Sequence, residues 1–295
     1  MLEDYIIIAD AGGTKTKWCI IECSTRKTVF YTTSAVNATV TPYKDIFASI
    51  SSLKEYLQSL YIDIDSKYLK IRFYGAGCNS HEPCKRIKDA FKDVFPKESY
   101  NIRIDSDIVA SAEALFGKEK GIACILGTGS ASCRYDGKRI VDSVPSLGYI
   151  LGDEGSGAYF GKSLLNAFYK RDLPERICKE LEKERNMKIP FILENIYRSD
   201  NPNAFLASFT PFLKRNEDDE FIKGLLYEGV KLFFLKNVLK YKPEPRISVR
   251  FIGGIAMAFQ NKITEVASSF NLTADKFLND PIEELGKKYL NNEID

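Results

Sequence analysis

The stretch Y-I-I-I-A-D-A-G-G-T-K-T-K, residues 5–17, decides how the rest of the chain is read. Its first half is apolar and β-branched, ends at Asp10 and runs into Gly12-Gly13, the pattern of a buried strand entering a tight turn. Gly12 and Gly13 allow a ligand close to the main chain, Thr14 and Thr16 offer hydroxyls, Lys15 a cation and Asp10 a carboxylate for a metal. That set suits an oxyanion. It is neither G-x-x-x-x-G-K-[ST] nor G-x-G-x-x-G. A plain hairpin that needs glycine accounts for the same residues.

Working outward, WCIIEC and KTVFYTT read as two further strands, so an antiparallel meander opens the chain. Ile46, Ile50, Leu53, Leu57 and Leu60 fall at spacings of three and four and predict a core-facing helix between Pro42 and Tyr61. A strand at 69–75, a helix at 82–94, a strand at 100–104 and a helix at 107–116 then predict a parallel α/β layer. After the charged stretch GKEKG (117–121) the pattern restarts: GIACIL, the turn GTGS, SASCRY, an Asp136-Gly137 hairpin and KRIVDSV. Each half carries an apolar strand that enters a turn of Gly, Thr and Ser, which reads as a diverged internal duplication. Residues 156–241 read as mostly helical, ISVRFIG (247–253) as the last strand, and 281–292 as an amphipathic helix folding back on the first domain. The domains expected are 1–116 and 117–280.

Length and composition narrow the function classes. At 295 residues with 44% apolar and 28% charged residues, the chain supports two globular domains. Lys plus Arg is 42 against 40 for Asp plus Glu, which leaves no broad basic footprint for nucleic acid or anionic lipid. His81 is the only histidine, so multi-histidine zinc sites are excluded. Seven cysteines without a C-x-x-C pair suit reduced thiols in a cytoplasm. The acidic N-terminus and its short apolar run suit neither a signal peptide nor a membrane span.

Two more glycine corners follow strands. Gly127, Thr128, Gly129 and Ser130 can aim backbone N–H groups and hydroxyls at a phosphate. FIGGIA (251–256) places Gly253 and Gly254 where a base or sugar could approach the backbone. Each alone also fits an ordinary turn. Together, in this order, they resemble the acetate and sugar kinase, heat-shock chaperone and actin superfamily of ATPases, whose loops resemble D-x-G-G-T-x-[TS], G-T-G-S and G-G. IDSDIVASAEALFG, ILGTGSASC and LGYILGDEGSGAYFG narrow the resemblance to the BadF/BadG/BcrA/BcrD-type ATPase family and its N-acetylglucosamine kinase-like branch.

That resemblance implies two ribonuclease-H-like domains with an ATP cleft between them, ATP and Mg2+ as cofactors, and an N-acetylated amino sugar as substrate. It implies Asp107 as general base, with Asp105 as a neighbouring alternative and an N-cap by Ser106 or Asp107 as the purely structural one. It puts 10–16 and 127–130 on the phosphates, Asp10 on Mg2+ through water, and Gly253-Gly254 beside adenosine. Asn37, Gly75, Thr128, Asp153 and Glu154 become sugar-side candidates; a turn asparagine and a helix-start acid pair fit Asn37 and the two acids as well. A homodimer is compatible with the branch. The family's electron-transfer activators carry a cluster-binding cysteine in a segment like N-D-K-C-A-A-G-T-G. Here the counterpart is CILGTGS, with Cys124 inside the strand, so the kinase reading is preferred.

Overall fold

The computed structural model describes residues 3–12, 15–64, 66–95, 100–244 and 247–294. The chain forms two compact units, one running to Lys118 and resuming at Pro281, the other spanning Glu119–Asp280. The division falls inside GKEKG.

In the first unit, strands β1 (Tyr5–Ala11), β2 (Lys15–Glu22) and β3 (Thr28–Ser34) form the expected antiparallel meander. Helix α1 (Tyr43–Ser59), β4 (Leu69–Gly75), α2 (His81–Val94), β5 (Asn101–Ser106) and α3 (Asp107–Phe116) complete the sheet in the order β3-β2-β1-β4-β5, with β1, β4 and β5 parallel. Strand β1 is central and covered on both faces, which is why its apolar run is continuous rather than alternating. Ile7, Ala9, Trp18, Ile71 and Phe73 pack on one face against Ile50, Leu53, Ile87 and Phe91 of α1 and α2. Trp18 Nε1 donates to Thr33 Oγ1 at 2.9 Å, and that hydroxyl lies 2.7 Å from Ser49 Oγ, so the buried indole and both hydroxyls are satisfied.

The second unit repeats the plan. Strands β6 (Gly121–Leu126), β7 (Ser130–Tyr135) and β8 (Ile140–Val144) form a meander, followed by helices α4 (Gly148–Leu151), α5 (Gly157–Lys170), α6 (Glu175–Glu184), α7 (Ile189–Tyr197), α8 (Pro202–Ala207), α9 (Thr210–Arg215) and α10 (Glu220–Lys236). Strand β9 (Ser248–Ile252), α11 (Gly254–Ala258), α12 (Gln260–Ser269) and β10 (Thr273–Leu278) close it. The order β10-β9-β6-β7-β8 is the first sheet's order read from its other edge, with β6 in the place of β1. The duplication is therefore one of topology. Cys124, Leu126 and Phe251 anchor the core against Phe160, Val230, Phe233, Phe234 and Ile263.

One expectation is corrected: ISVRFIG is not the last strand, because β10 adds a parallel edge to β9. TADKFL escapes a hydropathy reading since it has Asp275 and Lys276 at its centre and no fully buried position. Helix α13 (Ile282–Leu290) returns to the first unit and packs on β1, β2 and α3. Ile282, Leu285 and Tyr289 are its buried face, and Gly286 admits the close approach, since a Cβ there would lie 3.1 Å from Cys19 Sγ. His81 is a surface residue and Trp18 a core residue, as the sequence suggests. Among the described residues no helix is long and apolar enough to cross a membrane.

Leu285 is fully buried, so Leu285→Ala should cost about 2–4 kcal/mol through lost transfer energy and a cavity. Hydrogen exchange should show the loss in β1, β2 and α3; unchanged protection there would mean that α13 does not brace this sheet.

Candidate active site

In the first unit the register brings the candidate residues to one end of the sheet. Ala11 pairs with Thr16 and Gly75, and Gly75 pairs with Ser106, so Gly12, Ala76 and Asp107 all follow the carboxyl ends of parallel strands, where ligands of α/β sheets bind. Asp10 stands one level below, beside Lys17 and Tyr74 in register. The Gly12 N–H donates to the Lys15 carbonyl at 3.0 Å and closes the hairpin. Lys15 is exposed, whereas Thr16 is fully buried and its Oγ1 has no hydrogen-bond partner among the described residues. Gly13 and Thr14 lie outside the described residues.

The sheet ladder continues past the strand ends, as Ala76 N–H donates to Ala11 O and Ala38 N–H to Ala76 O, both at 3.0 Å. This places the 37–41 turn beside Gly75 and Gly77. Asn37 Oδ1 accepts from the N–H groups of Thr39 (3.0 Å) and Val40 (3.4 Å), and Arg86 of α2 ties down the carbonyls of Ala38 and Thr41. Gly77 has φ +83°, and a Cβ on it would lie 2.6 Å from Asn37 Oδ1. Asn37 thus serves its turn through the oxygen, and its amide NH2 has no hydrogen-bond partner among the described residues. Gly75 is required by packing, since a Cβ would come within 2.7 Å of the Phe73 ring.

The two aspartates after β5 differ sharply. Asp105 is ion-paired with Arg103, which also binds the buried Glu113; Glu113 accepts from the Tyr74 hydroxyl, and Tyr74 lies 2.6 Å from the Tyr289 hydroxyl of α13. Among the described residues Asp107 has no cation partner in its unit; its Oδ1 accepts the Ile108 N–H at 2.9 Å. Ser106 makes no side-chain cap. The Asp107 side chain reaches solvent yet is crowded by protein, and desolvation raises its carboxyl above the usual aspartate value while the N–H groups of Ile108 and Asp107 itself oppose the rise.

In the second unit the turn after β6 has a fixed polarity. The carbonyls of Gly127 and Thr128 accept from the first N–H groups of α5, Gly157 at 2.9 Å and Ala158 at 3.0 Å. Among the described residues no peptide bond is cis, so each of these carbonyls points opposite to the N–H of its own peptide. The N–H groups of Thr128 and Gly129 are therefore turned away from α5, and neither finds an acceptor among the described residues. Thr128 is exposed, and a Cβ on Gly127 would meet nothing within 4 Å. Two donors turned to the same side over open space make a nest of N–H groups of the kind that can accept an anion.

Asp153 braces this nest. Its Oδ1 accepts from Ser130 N–H at 3.1 Å and Ser146 Oγ at 3.5 Å, and its Oδ2 would lie 2.9 Å from a Cβ on Gly129. Burial raises its carboxyl, with the Ser130 and Ser146 bonds opposing. Glu154 is buried and paired with Lys236 of α10 at 2.6 Å. Gly253, at φ +119°, brings the end of β9 against the Leu126 carbonyl, 2.4 Å from its hypothetical Cβ, whereas Gly254 faces open space. Cys124 is fully buried, and burial pushes its thiol well above the ordinary value, which makes it a poor cluster ligand.

Among the described residues no group of three or more His, Cys, Asp or Glu could hold a metal. Within each unit the structure brings together the sequence-derived candidates: Asp10, Gly12, Lys15, Thr16, Asn37, Gly75 and Asp107 in the first, and Gly127, Thr128, Gly129, Ser130, Asp153 and Gly253 in the second. Sequence reasoning missed Ser146, Arg103, Arg86 and Lys236. Only Arg103 left a trace, as the alternate-position partner of Asp105 on one strand face.

No protein-family model matches the chain, and no curated protein matches it significantly. Solved structures do. The "putative N-acetylglucosamine kinase" of Porphyromonas gingivalis is 34% identical over 98% of this chain and 100% of its own, with a TM-score of 0.87. The Chromobacterium violaceum protein of the same description is 18% identical over 97% and 98% of the two chains, with a TM-score of 0.76. The Schistosoma mansoni hexokinase bound to glucose is 13% identical over 96% and 83%, with a TM-score of 0.51. The last two share the fold.

Replacing Asp153 by Ala should free the Ser130 amide, whose hydrogen exchange is expected to accelerate about tenfold or more, the worth of one hydrogen bond to a charged group. Unchanged Ser130 protection would show that the turn holds its form without the carboxylate.

Proposed function

The chain belongs to the N-acetylglucosamine kinase-like branch of the BadF/BadG/BcrA/BcrD-type ATPase family, and from that premise we propose that it transfers the γ-phosphoryl group of ATP to a hydroxyl of an N-acetylated amino sugar, most simply N-acetylglucosamine. The observation that carries the reading is the contrast at the end of β5: one aspartate neutralised by arginine, the next left as a bare carboxylate.

Phosphoryl transfer demands positioning and charge stabilisation more than covalent chemistry. Asp107 accepts the proton of the sugar hydroxyl as its oxygen bonds to the γ-phosphorus; the bond to the β-phosphate oxygen breaks, ADP leaves, and Asp107 later returns the proton to solvent. The N–H groups of Thr128 and Gly129 take phosphate oxygens, with the Thr128 and Ser130 hydroxyls beside them. Gly12, Lys15 and Thr16 belong to the second phosphate corner; the Thr16 hydroxyl, without a partner among the described residues, suits an acceptor that arrives with the ligand. Gly254 leaves room for adenosine. Asn37, its oxygen engaged, offers its NH2 to a sugar oxygen, near Gly75. Asp153 shapes the nest, and Glu154 supports it through Lys236.

Mg2+ is held in such enzymes by one or two carboxylates together with phosphates and water, and a carboxylate near the end of β1 is a donor of that kind. Asp10 is the residue that would hold the ion, through water, and the ion's chemistry is to neutralise charge on the β- and γ-phosphates.

A coupled ADP-release assay across hexoses and N-acetylhexosamines, with product mass, tests the reading. Sugar-independent ADP release, or none with any sugar, would overturn it. Asp107→Asn should lower kcat by at least about a hundredfold while ATP binding is retained. Because the base works only when ionised and burial holds its carboxyl above the usual value, kcat/KM for the sugar should fall on the acid side with a midpoint above 3.8, the ordinary aspartate value. A midpoint at or below that value would exclude Asp107 as the titrating group.

A further inference from the structure

Arg103, Asp105 and Asp107 occupy alternate positions at the end of β5, and Ser106 between the last two is extended at φ −78°, ψ 160°, so the three share one side of the chain. Ile102 and Ile104 take the other side, against the core of α1 and α2. The Cα atoms of Asp105 and Asp107 are at most about 7 Å apart. The charges of both carboxylates add to the burial that raises the Cys78 thiol. Without a counter-charge, Asp105 would compete with Asp107 for the proton and oppose its ionisation. Arg103 cancels that charge, and Glu113 with Tyr74 fixes the guanidinium from below.

We propose that Arg103 is a positioning residue that assigns the proton-accepting role to Asp107 by neutralising Asp105; this rests on the reading of Asp107 as the base. The other charged or titratable groups described at this end of the unit include Asp10, Lys15 and Lys17 of the β1–β2 hairpin, Cys78 before α2, Cys84 and Arg86 within it, and Arg72, Tyr74, Glu113 and Tyr289 beside and beneath Arg103. Burial holds the Cys78 thiol up to about 12 and raises Cys84, so both stay uncharged across the acid range. Desolvation raises the Glu113 carboxyl even with Arg103 beside it, and removing Arg103 raises it further.

The test is kcat/KM for the sugar at saturating ATP as a function of pH, which reports ionisations of the sugar-free form; the ionisation of ATP is common to all variants and cancels. Asp105→Asn should keep its plateau within about twofold and move the acid limb to lower pH by about half a unit, the effect of one partly screened charge at this distance. Arg103→Met should move the limb the other way by at least as much, and adding Asp105→Asn to it should bring the limb back. A purely structural arginine would lower stability in both backgrounds and shift no limb. An acid limb within about 0.2 units of wild type in Asp105→Asn overturns the inference, and that conservative variant decides the matter even where Arg103→Met does not fold. Should Asp107→Asn keep its turnover while Asp105→Asn loses it, the assignment of the base itself fails, an outcome distinct from an unmoved limb.

Discussion

A trans peptide cannot direct its carbonyl and its N–H to the same side. At residues 127–129 that constraint decides what the second unit can bind. Helix α5 begins by spending its first two N–H groups on the Gly127 and Thr128 carbonyls, which satisfies donors that a helix start otherwise leaves orphaned. The turn is thereby pinned to the helix, and the N–H groups on the far side of the same peptides have nowhere to point but outward. Every later feature of this corner follows from keeping that arrangement. Gly129 has no room for a Cβ because Asp153 must reach Ser130, and Gly253 must be glycine because β9 ends against the Leu126 carbonyl.

The first unit has the same strand plan but solves the matching problem differently. Its β1–β2 corner is closed by a single bond from Gly12 to Lys15 and leaves a buried hydroxyl, Thr16, without a partner. An unpaired buried hydroxyl costs about 1–3 kcal/mol, a cost that an incoming acceptor recovers. The duplicated sheet thus carries one corner that is braced by a carboxylate and one that holds an unmet donor. Topology was inherited by both halves, and the polar fittings diverged.

What was legible in the sequence divides along the same line. Strands β1, β6 and β7 could be read to within a residue because they are nearly continuous apolar or small-residue runs bounded by glycine. Strand β10 could not, since an edge strand with Asp275 and Lys276 at its centre lacks the pattern on which such reading depends. The glycine corners announced themselves through composition, but their direction did not, because it is set by bonds from residues 157 and 158. Asn37 bears out the turn reading through its oxygen, which accepts from Thr39 and Val40, while the sugar-side reading concerns its nitrogen alone. Asp153 looked like a residue that meets substrate; its contacts with Ser130 and Ser146, across 23 and 7 positions, are tertiary facts that no local signal carries.

The end of the chain shares in this polar organisation. Tyr289 lies 215 residues from Tyr74 in sequence and 2.6 Å from it in space, and that hydroxyl pair sits against Glu113. The first unit is therefore discontinuous, and the network behind Arg103 is complete only after the intervening unit has been made and α13 has returned. Closing so long a loop costs little more than closing one half its length, since the entropy grows only with the logarithm of loop size. The return is driven by burial of Ile282, Leu285 and Tyr289, apolar surface that would otherwise remain in water, and it delivers one polar group, the Tyr289 hydroxyl, to the one buried cluster that needs it. The last helix therefore does more than cover a hydrophobic face: it completes the hydrogen bonding beneath the strand that presents both aspartates.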